Sequence, residues 1–65
     1  MTKTRAFGIA LKKIRLKKKL TQEELSLQAD LARAYVSELE FGKKTASIET
    51  VFKLSKAIAG IIFAP

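Results

Sequence analysis

The chain has 65 residues, of which 13 are Lys or Arg and 6 are Asp or Glu, with neither Cys nor His. That length makes one domain, spanning residues 1–65 and near the lower limit for folding without staples. Without Cys there is no disulfide framework and no thiolate metal site, and without His the usual general base and the usual metal ligand are both missing. No cofactor or metal is expected, and a reducing cytoplasm fits the composition.

No apolar segment follows the early basic residues in the manner of a signal peptide. The longest apolar run, Ala57 to Pro65, is interrupted by Gly60 and is about half the length that a membrane span needs. No membrane partner is expected. The net charge of +7 is unevenly placed. Lys3, Arg5, Lys12, Lys13, Arg15, Lys17, Lys18 and Lys19 all precede Leu20 with no acid among them, and Lys43 and Lys44 form a second cluster. Such a chain is drawn to polyanions, because releasing counterions from phosphates drives non-specific association. A solvated basic face that keeps a small domain soluble is the plainer alternative.

Met1 to Thr4 read as a loose tail. From about Arg5 to Lys18, Phe7, Leu11, Ile14 and the stem of Lys18 fall at helical spacing among basic residues, which predicts an amphipathic helix. Its exit at Lys19-Leu20 has no Gly, so Lys19 must make the turn at some cost. Thr21 and Glu24 then form a capping box for a second helix: the hydroxyl accepts from the Glu24 amide, and the carboxylate accepts from the Thr21 amide. Leu25 and Ala29 point inward. Asp30 is expected in a left-handed turn, which Asp tolerates better than most residues.

A third helix is predicted from about Arg33 to Phe41, weakly capped because Ala32 stands where Ser or Thr would cap, and ended by Gly42. Val36 and Leu39 face in; Arg33, Ala34, Ser37 and Glu38 face out. After the Lys43-Lys44 loop, Ser47 can cap a fourth helix from Ile48 to about Ile58. Its apolar stripe is Ile48, Val51, Leu54, Ala57 and Ile58, with Gly60 closing it. The tail Ile61-Ile62-Phe63-Ala64-Pro65 is β-branched, aromatic and short, which favours a strand. Ile61, Ile62 and Phe63 would pair with a second copy or a partner, or fold back over the core. The fold class is therefore all-α, with four to five helices and a possible short C-terminal strand.

Two short helices joined by a tight turn, over about residues 21–41, are the plan of a helix-turn-helix. Thr21 to Leu25, Leu31 to Glu40, Gly42-Lys43, and Ser47 to Val51 with Leu54 and Ile58 together resemble the phage repressor and Cro (Xre) family, with its lambda-repressor-like domain. The resemblance covers roughly Phe7 to Ile58. Ser26, Asp30, Ala32 and Ala46 depart from the common Ala, Gly, Ser or Thr, and Pro of that family. Phe41 replaces a polar or basic residue often placed beside phosphates. The resemblance implies that Gln22 grips a DNA phosphate and that Arg33, Ala34 and Glu38 read bases, with Tyr35 and Ser37 flanking. It also places Lys43 near phosphate and pairs Arg15 with Glu40 in a partly buried structural ion pair.

The chemistry of these residues also stands without the family. Arg33 can offer two parallel donors to guanine, Ala34 can meet a thymine methyl, and Glu38 can accept from cytosine N4, with Ser37 a further base-reading candidate on the same face. Alternatively, Arg33 and Glu38 are simply exposed helix charges, with Glu38 contacting a lysine. Tyr35 can pack at the domain edge or donate its hydroxyl to a phosphate. Lys43 and Lys44 are the further phosphate candidates. Leu27 and Phe41 are apolar at positions expected to be partly exposed.

The leading functional expectation is a DNA-binding transcriptional regulator, most simply a repressor, that binds a two-fold operator as a homodimer. As such it would be cytoplasmic and held on the nucleoid by double-stranded DNA. A short apolar C-terminal strand would instead resemble a HipB-type antitoxin with a toxin protein as partner. A protein-interaction module without DNA binding is the third possibility. An enzyme is the least expected reading: six carboxylates, mostly in capping or exposed positions, form no converging acid–base pair, and the chain is too small to enclose a substrate.

Overall fold

The computed structural model describes residues 2–63, and side-chain surroundings for residues 2–60. Four helices follow one another: α1 (Lys3–Lys17), α2 (Gln22–Ala29), α3 (Arg33–Glu40) and α4 (Ile48–Phe63). α1 packs on α3, and α2 packs on both α3 and α4. Leu11, Leu25, Ala29, Val36, Leu39, Leu54 and Ala57 form the core, with Phe7, Leu31, Tyr35, Ala46 and Ile58 packed against it. Leu25, Val36 and Leu39 are completely enclosed, and each contributes roughly 1.5–3 kcal/mol by leaving water.

The first helix starts earlier than expected. Thr2 is its N-cap, with the hydroxyl oxygen accepting from the Arg5 amide at 3.1 Å, so residues 3 and 4 are helical rather than a loose tail. The buried face of α1 is Gly8, Leu11 and Arg15, with Phe7 beside it. Ile14, expected on that face, is 40% exposed. The reason is angular: Arg15 lies one full turn from Leu11 and takes the inward position, which leaves Ile14 at the margin.

Three successive helices end in the same way. The Leu20 amide donates to Arg15 O, Leu31 to Ser26 O, and Lys43 to Glu38 O, each closed by a second bond from the preceding amide. That is the Schellman arrangement, which needs one left-handed residue per helix end. Lys19 (φ 58°), Asp30 (φ 56°) and Gly42 (φ 73°) supply it. Only one of the three is glycine, so Lys19 and Asp30 hold a conformation that costs an L-residue about 1–2 kcal/mol.

The C-terminal expectations need correction. Ser47 caps α4 as expected, accepting from the Thr50 amide at 3.1 Å, but Gly60 does not end the helix, which continues through Phe63. Ile61, Ile62 and Phe63 are therefore helical and not a strand; Ala64 and Pro65 lie outside the described residues. Gly60 keeps helical backbone where a Cβ would meet nothing within 4 Å, and continuing apolar residues favour extension over a stop. The inward stripe of α4 is also narrower than expected. Leu54 and Ala57 are buried, whereas Ile48 is 91% exposed and Val51 lies near the surface. The polar Thr50 takes the inward place instead, bonded to Ser47 and Tyr35.

Candidate nucleic-acid interface

The turn between α2 and α3 is set by local chemistry. The Thr21 hydroxyl accepts from the Glu24 amide at 3.0 Å, and Glu24 Oε1 accepts from the Thr21 amide at 2.9 Å, so both halves of the capping box form. The bond from the Thr21 backbone, with the hydroxyl contact second, holds the Glu24 carboxyl below its ordinary range. Leu31, just past Asp30, packs against the core and anchors the turn. α3 then starts from Ala32 with no side-chain cap.

α3 carries its apolar residues on one side. Val36 and Leu39 are fully buried, while Arg33 and Ala34 are exposed and Ser37 and Glu38 are half-buried. The outward set is therefore continuous along the helix, as a surface entering the DNA major groove requires. Arg33 forms no ion pair among the described residues and lines a shallow groove of about 470 Å³ together with Gln22, Thr21 and Leu16. Arg33 is exposed and makes no side-chain hydrogen bond among the described residues, so its donors are available for a planar acceptor pair.

Around that helix the other candidates fall into two groups. Glu38 Oε1 meets Lys44 Nζ at 3.4 Å, which is the lysine contact weighed from sequence. The pair is well exposed and is worth no more than about 1 kcal/mol, so a phosphate can displace it. Lys43 Nζ stands 5.9 Å from the Phe41 ring centre, and Lys44 Nζ 6.0 Å from that of Tyr35. Phe41, 68% exposed, thus offers Lys43 a cation–π partner. Tyr35 packs against the core and its hydroxyl lies 3.2 Å from Thr50 Oγ1. Leu27 is 75% exposed. The side chains of Ile61, Ile62 and Phe63, the partner-contact candidates, lie outside the described surroundings.

Arg15 and Glu40 meet in the interior. Arg15 Nε donates to Glu40 Oε2 at 2.6 Å and Nη2 to Oε1 at 3.0 Å, with both side chains almost wholly buried. The hydrogen bond to Glu40 raises the guanidinium above its ordinary pKa, against the opposing effect of burial. Sequence reasoning did not find two parts of this region. One is Gly8, a small residue at helical spacing from Leu11 and Arg15, which lets α1 approach the end of α3. The other is the link from Gln22 to Glu40, a bond of 3.1 Å that no spacing rule along the chain announces. Among the described residues no cluster of acidic side chains could hold a metal ion, and no helix is long and apolar enough to cross a membrane.

The comparisons agree with this geometry. The family model HTH_3, described as helix-turn-helix, matches residues 11–59. The chain is similar to the control protein C.BamHI of Bacillus amyloliquefaciens, 40% identical over 53 residues, covering 80% of this chain and 65% of that protein. It is also similar to the control protein C.MunI of a Mycoplasma species, 42% identical over 53 residues, covering 80% of this chain and 72% of that one. The chain thus spans about two thirds of the length of these relatives.

Proposed function

Since the chain belongs to the helix-turn-helix family, in its phage repressor and Cro-like branch, we propose that it is a sequence-specific regulator of transcription that binds double-stranded DNA. The observation that carries this reading is the division of α3: Val36 and Leu39 are sealed in the core while Arg33 and Ala34 stand exposed on the opposite side. Arg33, Ala34, Ser37 and Glu38 read bases. Gln22, Tyr35, Lys43 and Lys44 meet phosphates, with Tyr35 and Lys44 leaving their present partners to do so. Residues 1–65 act as one domain without enzymatic activity, in the cytoplasm and on the nucleoid.

One such domain makes a small interface, so two copies on a two-fold operator, with half-sites about one helical turn apart, supply useful affinity. The similarity to two control proteins supports a regulatory role. The antitoxin alternative rested on a C-terminal strand, and the helical course of Ile61–Phe63 removes that support. A gene beside a restriction gene would agree with a control protein, whereas a kinase-like toxin gene next door would restore the antitoxin.

Selection of bound sites from a random duplex pool, followed by gel shift at two salt concentrations, tests the reading. A symmetric consensus bound in a salt-sensitive manner is expected. No enrichment, with no retarded duplex at low salt, would leave a protein-interaction module as the better account.

A further inference from the structure

The buried end of the Arg15–Glu40 pair reaches beyond the two helices it joins. Glu40 Oε1 accepts from Arg15 Nη2 and also from Gln22 Nε2 at 3.1 Å, while Oε2 is taken by Arg15 Nε. Arg15 Nη1 donates to Leu20 O at 2.8 Å, so one carboxylate ties together α1, the turn after it, the start of α2 and the end of α3. Gln22 is the first residue of α2, half-buried on the wall of the groove that also holds Arg33.

An ionised carboxylate is acceptor-only, so the Gln22 amide must face Glu40 with its nitrogen. One N–H is then engaged, and the second N–H of the same group remains to donate elsewhere. An untethered glutamine amide can turn either its oxygen or its nitrogen toward an approaching anion. The bond to Glu40 removes that choice and orders the side chain before anything binds.

We propose that Glu40 is a positioning residue for the DNA backbone: fixed by Arg15, it orients the Gln22 amide so that the remaining N–H donates to a phosphate oxygen. This rests on the DNA-binding reading above. Phosphates are the same in every sequence, so the contribution belongs to all duplexes alike and carries no base preference.

A double-mutant cycle in DNA affinity, on preferred and random duplexes, tests the proposal. E40Q and Q22A should each weaken binding by about three- to tenfold on both DNAs. In the Q22A background, E40Q should cost less than about twofold, because the group that Glu40 orients is gone. Equal losses from E40Q in both backgrounds would overturn the proposal, since a general structural effect does not depend on Gln22. If E40Q does not fold, R15M/E40M removes the pair without stranding a buried charge and enters the same cycle with the same expectation. NMR of the wild-type protein supplies a readout free of substitutions. Added duplex should shift the Gln22 Nε2 proton that is not bonded to Glu40, and equal shifts or none would count against the proposal. Wild-type protein that retards no duplex overturns the DNA reading as well, whereas a binding wild type with additive losses overturns this inference alone.

Discussion

Gly8 of α1 lies directly against the end of α3: a Cβ built on it would stand 2.8 Å from the Glu40 carbonyl oxygen and closer still to that of Leu39. Both obstacles are backbone, which cannot rotate away. The close approach brings Arg15, two turns further along α1, within reach of Glu40.

Gly8→Ala should therefore destabilise the fold by about 1–3 kcal/mol, although alanine is the better helix former at an unconstrained position. Denaturant unfolding measures it. An unchanged or higher midpoint would show that α1 can withdraw from α3 without loss.

Truncating one member of the buried ion pair should be worse than replacing both. Arg15→Met leaves the Glu40 carboxylate enclosed without its guanidinium, at an expected cost of roughly 3–5 kcal/mol. Replacing both residues by Met should cost much less or nothing. Thermal or urea unfolding of the three proteins settles the order, and equal losses for single and double variants would contradict it.

Lys19 holds φ 58° at the end of α1, where glycine is the residue without a Cβ penalty. Lys19→Gly should raise stability by about 1 kcal/mol, less whatever glycine adds to the entropy of the unfolded chain. A clear fall in the unfolding midpoint would mean that the lysine side chain contributes more than its backbone strain costs.

The capping box predicts a pH signature. The folded protein holds the Glu24 carboxyl below its ordinary 4.5, because the charged form accepts from the Thr21 amide and hydroxyl. A depressed folded pKa contributes stability that is present above the unfolded value and is lost as pH falls through the folded one. The loss is thus expected below pH 4.5. Carbon-detected NMR titration of the Glu24 carboxyl should give a midpoint under that value, moving only part of the way back in Thr21→Ala, which loses the hydroxyl and keeps the amide; a wild-type midpoint at or above 4.5 would sink this account.

On DNA, the two kinds of contact should separate. Arg33→Ala should lose about 1–3 kcal/mol on the selected site and little on random duplex. Lys43→Ala should weaken both and reduce the salt slope by about 1. Fluorescence anisotropy over a salt series distinguishes them, and equal losses for Arg33→Ala on both DNAs would show that it reads no base.

Local rules along the chain were enough for the capping box at Thr21, the left-handed Lys19 and Asp30, the glycine end at Gly42 and the inward pair Val36 and Leu39. Each is decided within about four residues, by one turn of helix and the groups it leaves unbonded. The resemblance to repressor-type domains added the Arg15–Glu40 pairing, which no local rule contains. Other features needed the assembled fold. Gly60 did not stop α4, because a glycine ends a helix only when the chain turns there, and nothing local compels it to turn. Ile14 yielded the inner face to Arg15 because the partner that makes an arginine tolerable inside, Glu40, arrives from 25 residues away. The link from Gln22 to that same carboxylate has the same origin. Periodicity reports which face of a helix is apolar, whereas which polar groups may be buried depends on what other segments bring to meet them.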